Sequence, residues 1–312
     1  MTLPTTPADI DVVWLNEHLP DAATGGRAID AVSTSDIGEG TGIFGQIARL
    51  DLTLDDGSAT SIVAKMACTE PANLEVALML GIYEREINMF EHVVPESTMT
   101  GPQLHTALRG DGGSFVLLME DMSIEWDVGD QFVGATLAQA EAIVDALVPF
   151  HAEWWGSPKL DEMDWLPRPD APQYVAAVPQ IFAAGLEPLQ ANWADRVSAE
   201  AIALALQLAP RFEELLRRTA TGPETLIHTD TRLDNIFFAR DGSDAVAFID
   251  FQLALIGRAV ADIAYLVGTS VPRETAKAHW EPLLRRWHDG ITAAGIDYAW
   301  DDAVQHLSLI HI

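Results

Sequence analysis

The sequence predicts an α+β chain of two lobes: a small antiparallel sheet with one helix, then a mainly helical part carrying a small sheet of its own. Three observations predict it. Leu50, Leu52 and Leu54 alternate with Arg49, Asp51 and Thr53, the two-residue period of a half-buried strand. Asn73 to Val93 carries its apolar residues at helical spacing. After Glu120-Asp121 the composition shifts, and from Thr136 onward the pattern is mostly helical.

In chain order, Pro7 to Pro20 reads as a short amphipathic helix that buries Val12, Val13 and Leu15. Asp36 to Gly45 is a glycine-rich loop, and a strand follows from Gln46 to Leu54. Asp55-Asp56-Gly57 is a hairpin turn signal, which makes Ser61 to Met66 the next strand. Leu74, Leu78, Ile82 and Phe90 are among the apolar positions of the helix from Asn73 to Val93. Ser114 to Met119 is a buried strand. The lobe boundary is expected between Glu120 and Gly129, dividing the chain into residues 1–120 and 121–312. Thr136 and Gln139 form a capping box, after which Ala140, Ile143, Val144, Leu147, His151 and Trp154 share one helix face. Ser198 to Arg218 reads as another amphipathic helix. Leu226-Ile227, Asn235 to Phe238 and Ala245 to Ile249 read as short strands, and Val260 to Val267 opens further helices.

Composition narrows the function. At 312 residues and 48% hydrophobic content, two cores of ordinary domain size are easily built. Cys68 is the single cysteine, so no disulfide forms within the chain, which suits a cytoplasmic protein. The N-terminal stretch has neither the basic nor the apolar region of a secretory signal. The longest apolar stretch, Ala245 to Val271, contains Asp250, Arg258 and Asp262. At about 3 kcal/mol per charge at a bilayer centre it reads as a buried soluble segment, and no membrane association is expected. A net charge of -29 excludes a broad phosphate-neutralising face for nucleic acid. Such acidity serves solubility or a salty habitat; a cationic substrate is the alternative.

The residues that carry chemistry are concentrated in Leu226-Ile-His-Thr-Asp-Thr-Arg-Leu-Asp-Asn-Ile-Phe-Phe238 and Phe248-Ile-Asp-Phe-Gln252. Asp230 and Asn235 lie five positions apart on one loop, and Asp250 follows fifteen residues later. Phosphoryl transfer needs such a set: a carboxylate to orient a hydroxyl, and an amide oxygen plus a carboxylate to hold Mg²⁺ on a nucleotide. Gly40-Thr-Gly-Ile-Phe-Gly45 satisfies G-x-G-x-x-G. In a dinucleotide-binding fold that motif opens a helix, whereas here an alternating strand follows, which argues against a nucleotide-dependent oxidoreductase. Lys65 is one of only three lysines, twenty positions after Gly45 and flanked by apolar residues, so a charged partner is expected for it. Glu86 is the candidate partner and Glu84 its rival. Without a cysteine pair or an H-E-x-x-H segment a zinc site is not supported, and no G-x-S-x-G nucleophile elbow occurs.

His228-x-Asp230-x4-Asn235 with Asp250 resembles the core of the aminoglycoside phosphotransferase and choline kinase superfamily, and looks most similar to ecdysteroid-kinase-like bacterial phosphotransferases. The resemblance runs from about Asp36 to Val267 and includes Phe132 to Trp155 with its Ala-Glu-Trp-Trp-Gly ending. It implies a bilobal, protein-kinase-like fold, and an ATP-dependent enzyme that moves the γ-phosphoryl group to a hydroxyl of a small molecule, with Mg²⁺ as cofactor. On that reading Asp230 is catalytic, and Asn235 and Asp250 hold the metal. Gly40, Gly42, Gly45, Lys65, Glu86 and Glu120 serve the nucleotide, Glu120 marking the hinge. His228 and Asp262 support the catalytic loop. His151 is expected to be a satisfied core histidine, Arg232 a surface residue with a phosphate contact as the alternative, and Asp234 has no assigned role. Trp154, Trp155, Trp165 and Trp193 are candidates to line the acceptor pocket, although core positions suit them better. His-Thr-Asp, Asp-Phe-Gln and the lack of an Ala-Pro-Glu segment depart from protein kinases and disfavour a protein substrate. The alternative is a catalytically silent, kinase-like nucleotide-binding module.

The last six residues, Leu307-Ser-Leu-Ile-His-Ile312, match one reading frame of a transposon adapter used to prepare sequencing libraries. They are expected to be read-through, with the final helices of the second lobe missing; a natural hydrophobic tail is the alternative.

Overall fold

The structure, a computed structural model, describes residues 3–37 and 43–311, the last three by backbone alone. Gly40 and Gly42 lie outside the described residues.

The first lobe contains α1 (Val12–His18), α2 (Asp21–Thr24), β1 (Ile29–Asp36), β2 (Gly45–Leu54), β3 (Ala59–Ala67), α3 (Pro71–Met79), α4 (Ile82–Asn88), β4 (Leu104–Arg109) and β5 (Phe115–Glu120). Its five strands form an antiparallel sheet in the order β1-β2-β3-β5-β4. Alternation along β3 decides which residues face which side. Ile62, Ala64 and Met66 join Leu50, Leu52, Leu15, Val116 and Leu118 in the outer core. Val63, Lys65 and Ala67 therefore face the other way, toward α4 and the second lobe. Lys65 sits on the central strand, opposite Ile47 of β2 and Leu117 of β5.

Two local expectations give way here. The helix expected over Asn73 to Val93 is broken at Gly81, whose φ of 65° is the left-handed conformation glycine adopts without penalty. The helical spacing carried on across the break, and Leu78, before it, is 47% exposed. Val13, expected inward on the first helix, is 75% exposed, because α1 is short and Leu15 alone of its residues is buried.

The second lobe contains β6 (Trp126–Val128), α5 (Leu137–Trp154), α6 (Pro172–Trp193), α7 (Ala199–Leu208), α8 (Phe212–Thr219), β7 (Thr225–Ile227), β8 (Ile236–Ala239), β9 (Val246–Phe248), β10 (Leu255–Gly257), α9 (Val260–Tyr265), α10 (Arg273–Ala293) and α11 (Trp300–His311). The capping box at Thr136 forms, with Gln139 N donating to Thr136 Oγ1 at 3.2 Å and Thr136 N to Gln139 Oε1 at 3.0 Å. Ala140, Ile143, Val144, Leu147, His151 and Trp154 are all buried, so α5 is the spine of this lobe. The helix expected over Ser198 to Arg218 is instead α7 and α8, separated by a turn at Ala209–Arg211 that contains Pro210. Proline lacks the N–H that a continuous helix needs. Trp154, Trp155 and Trp165 belong to the core, whereas Trp193 is 49% exposed. No helix among the described residues is long and apolar enough to cross a membrane.

Candidate active site

Two short antiparallel sheets, β6-β8-β9 and β7-β10, hold the loops that carry the chemistry. At the centre is the Lys65 ammonium. It donates to Glu86 Oε1 at 2.5 Å and to Asp250 Oδ1 at 2.9 Å, joining three segments. Lys65 is 4% exposed and Glu86 1%, while Glu84, the rival, points to solvent. Burial alone would lower the lysine's pKa, but Asp250 and Glu86 together hold it above its ordinary value. Glu86 is pushed up to about 7, chiefly by burial, with Lys65 opposing and Asp250 adding to the rise.

The Glu86 shift has a signed consequence for stability. A carboxyl group whose folded pKa lies above its ordinary 4.5 binds a proton on folding in the window up to about 7. Its contribution is fully present below that ordinary value and is lost as pH rises through the folded one. Glu86→Gln abolishes the titration. The Tm of the variant relative to the parent is therefore expected to rise between about pH 5 and about pH 8. Calorimetry of the nucleotide-free protein measures it, and a pH-independent difference would contradict the shift.

The loop between β7 and β8 is held from beneath by Asp262. Its Oδ2 accepts from His228 N at 2.9 Å and its Oδ1 from Thr229 N at 2.7 Å, and Thr231 Oγ1 donates to its carbonyl. Thr229 takes a φ of 68°, so this anchoring fixes a left-handed turn just before Asp230. Beneath Asp262 lies His151, 0% exposed. Trp287 Nε1, which can only donate, gives its hydrogen to His151 Nδ1 at 3.0 Å. His151 Nε2 therefore carries the proton and donates to Asp262 Oδ2 at 3.0 Å. Three N–H groups thus balance a buried carboxylate without a cation. His228 plays a similar part above: Nε2 donates to Ile249 O at 2.9 Å and Nδ1 accepts from Asp230 N at 3.3 Å. Ile249 N donates to Asn235 O, so the two loops are tied side by side.

Asn235 turns both amide hydrogens toward Asp230, one to its backbone oxygen at 3.1 Å and one to Oδ2 at 2.9 Å. Among the described residues its Oδ1 has no hydrogen-bond partner, which leaves that oxygen able to face a ligand. Asp250 adopts φ 64° and ψ 65°. Its Oδ1 takes Lys65, and its Oδ2 takes Gln252 Nε2 at 3.2 Å. Gly45 lies against the lysine: a Cβ there would come within 3.3 Å of Lys65 Cε and of the Met66 carbonyl, so glycine permits this close approach.

Several residues behave otherwise than expected. Arg232 is half-buried, its side chain 30% exposed, and Nε lies 3.6 Å from Asp230 Oδ2. Asp234 acquires a role, since its Oδ1 accepts from Gln131 N at 3.0 Å. Gln131 Oε1 in turn accepts from Leu233 N at 2.8 Å, fastening the segment after β6 to the loop. Tyr265, which sequence reasoning passed over, has its pKa pushed up to about 12 by burial and by the adjoining Asp230. Glu120 ends β5, its N–H donating to Gln103 O and its carboxylate accepting from Gln103 N. It borders a cleft of about 640 Å³ lined also by Phe90, Val94, Met99 and Leu104. The strand end is braced instead by Asp121, which takes Ser61 Oγ at 2.7 Å and Ser123 N at 3.0 Å.

Among the described residues no group of three or more His, Cys, Asp and Glu side chains is arranged to hold a metal. A cation here would take two protein oxygens, Asn235 Oδ1 and the Asp250 carboxylate, and complete its shell from phosphate and water. That suits Mg²⁺, which prefers a few hard oxygen ligands plus substrate phosphates.

The model of a family described as the phosphotransferase enzyme family matches residues 82–301. No curated protein matches the chain. Among solved structures, that of the GDP complex of wild-type aminoglycoside 2'-phosphotransferase-IIIa is 14% identical, covers 93% of this chain and 85% of its own, and has a TM-score of 0.55. The structure of the GDP and kanamycin complex of APH(2")-IIia has the same identity and TM-score, over 93% of this chain and 86% of its own. Aminoglycoside-3'-phosphotransferase of type VIII is 15% identical over 89% of this chain and 92% of its own, with a TM-score of 0.53. At these identities the likeness establishes the fold: bilobal and protein-kinase-like, a small antiparallel-sheet lobe beside a mainly helical one.

Proposed function

The chain belongs to the phosphotransferase enzyme family, and from that premise we propose that it transfers the γ-phosphoryl group of ATP to a hydroxyl of a small molecule. Residues 1–120 form the nucleotide-binding lobe and residues 121–312 the catalytic and acceptor-binding lobe. The observation that carries this reading is the single ammonium of Lys65 held between Glu86 and Asp250, residues that lie far apart in the chain.

Lys65, oriented by Glu86, pairs with the α/β-phosphates, and the glycine loop covers them. Asn235 and Asp250 hold Mg²⁺, which when bound neutralises charge on the transferring phosphate. Asp230 accepts a hydrogen bond from the acceptor hydroxyl and orients its oxygen at the γ-phosphorus. As the new O–P bond forms and the bond to ADP breaks, the hydroxyl proton passes to Asp230. The step depends on alignment more than on base strength. Arg232, beside Asp230, offsets the charge that accumulates when a carboxylate and a triphosphate share one cleft. His228 and Asp262 keep the loop in register.

The acceptor is to be found by screening hydroxyl compounds for acceptor-dependent ADP formation. The net charge of -29 gives cationic hydroxyl compounds a favourable field, and they come first. A phosphorylated product with at least one compound is expected. Tight Mg²⁺–nucleotide binding with no turnover across the library would favour a silent nucleotide-binding module.

A further inference from the structure

Arg85 is 0% exposed and precedes Glu86 on α4, yet among the described residues no carboxylate pairs with it. Nη2 donates to Leu80 O at 2.6 Å, at the C-terminal cap of α3. Nη1 donates to Gln252 O at 3.0 Å. The guanidinium carbon stands 5.6 Å from the ring of Tyr174 on α6, and Nε has no hydrogen-bond partner among the described residues. Burial presses the guanidinium's pKa below its ordinary value, with Tyr174 acting against the fall.

A buried cation with no carboxylate partner is an expensive way to fill space; leucine or methionine would pack there at lower cost. What an arginine adds is a rigid fork of donors that serves several acceptors at once. Here the acceptors belong to separate elements. The Leu80 carbonyl closes α3. The Gln252 carbonyl belongs to the turn after Asp250, and the side chain of that same Gln252 donates to Asp250 Oδ2 at 3.2 Å. Tyr174 lies on α6, where it and Ala177 are the buried residues, while α7 and α8 have none. A continuous path thus runs from the sparsely buried helices through Tyr174, Arg85 and Gln252 to Asp250.

We propose that Arg85 is a positioning residue that sets the Asp250 turn in its metal-binding geometry and couples that geometry to α6 through Tyr174. This rests on the phosphotransferase reading of Asp250. It assigns Arg85 no contact with substrate; its action is on the carboxylate, by way of Gln252.

The test measures affinity for a fluorescent ATP analogue, with and without Mg²⁺, in the full chain, beside a thermal melt. Arg85→Met is expected to lower the Mg²⁺-dependent gain in affinity about 10-fold or more while leaving Mg²⁺-free binding unchanged, as loss of an outer-shell metal contact does. Its melt should stay near that of the parent, since a buried cation replaced by an apolar residue of similar size is often tolerated. Arg85→Lys, which keeps the charge but not the fork, should recover only part of the gain. Tyr174→Leu, on a helix that gives no other residue to the site, should lower it about 3-fold. A parental Mg²⁺ response in Arg85→Met overturns the proposal, even if the melt falls. Should that variant not fold, a parental response in both Arg85→Lys and Gln252→Ala overturns it. A parent whose affinity ignores Mg²⁺ would instead sink the phosphotransferase reading itself.

Discussion

Asp230→Ala is expected to lower turnover about 10³-fold or more while nucleotide affinity stays close to that of the parent. The separation follows from the hydrogen bonds around the residue. Asn235 reaches Asp230 twice, through Oδ2 and through the backbone oxygen, and the second contact survives the substitution. The Asn235 amide therefore keeps its orientation. His228 and Asp262 hold the loop backbone independently of the Asp230 side chain. What disappears is the oxygen that, on the proposed reading, aligns the acceptor hydroxyl and takes its proton. The comparison requires initial rates with an acceptor found by screening and nucleotide titrations on the same preparation. Parental turnover would remove Asp230 from the mechanism, whereas loss of nucleotide binding would mean that the substitution had disturbed the loop.

Asp250→Ala should abolish Mg²⁺-dependent nucleotide binding as well as turnover. Asp250→Asn is the cleaner experiment, because the residue sits at φ 64°. Alanine there would add about 1 kcal/mol of left-handed strain, which asparagine largely escapes. Asparagine removes the charge in two places at once. On the proposed reading the metal loses a carboxylate ligand. Lys65 loses a carboxylate that, with Glu86, keeps the buried ammonium protonated. The Mg²⁺-dependent part of nucleotide affinity is expected to fall about 100-fold, the order of charge stabilisation a bound metal supplies. Titration with nucleotide in the presence and absence of Mg²⁺ measures it, and an unchanged Mg²⁺ response would place the metal elsewhere.

The parts of this site that were legible beforehand share a property: each needs a particular side chain. A lysine in an apolar strand demands an anion, and the Asp-x4-Asn spacing followed by a later Asp leaves few substitutes. The missed parts lean on backbone groups or on packing phase. Arg85 is bonded to two carbonyls, which every residue has, so its neighbours give no signal. Asp234 is bonded to the N–H of Gln131, likewise invisible in a string of letters. Strands β1 and β4 went unread because both lie at the edges of the sheet. Much of β1 faces solvent and no residue of β4 is fully buried, so neither shows the apolar alternation of an inner strand.

By itself the sequence determined the two-lobe α+β class, the inner strands, the face of α5 and the need of Lys65 for an anionic partner. These follow from periodicity and from the cost of burying charge, which are local properties. Folding in three dimensions decided the rest. It chose Glu86 over Glu84, because the left-handed turn at Gly81 resets the phase of α4. It brought Arg232 and Tyr265 beside Asp230, and set Arg85 between the α3 terminus, the Asp250 turn and α6. Those contacts join segments separated by many residues, and no period or propensity within a segment carries information about what will be folded against it.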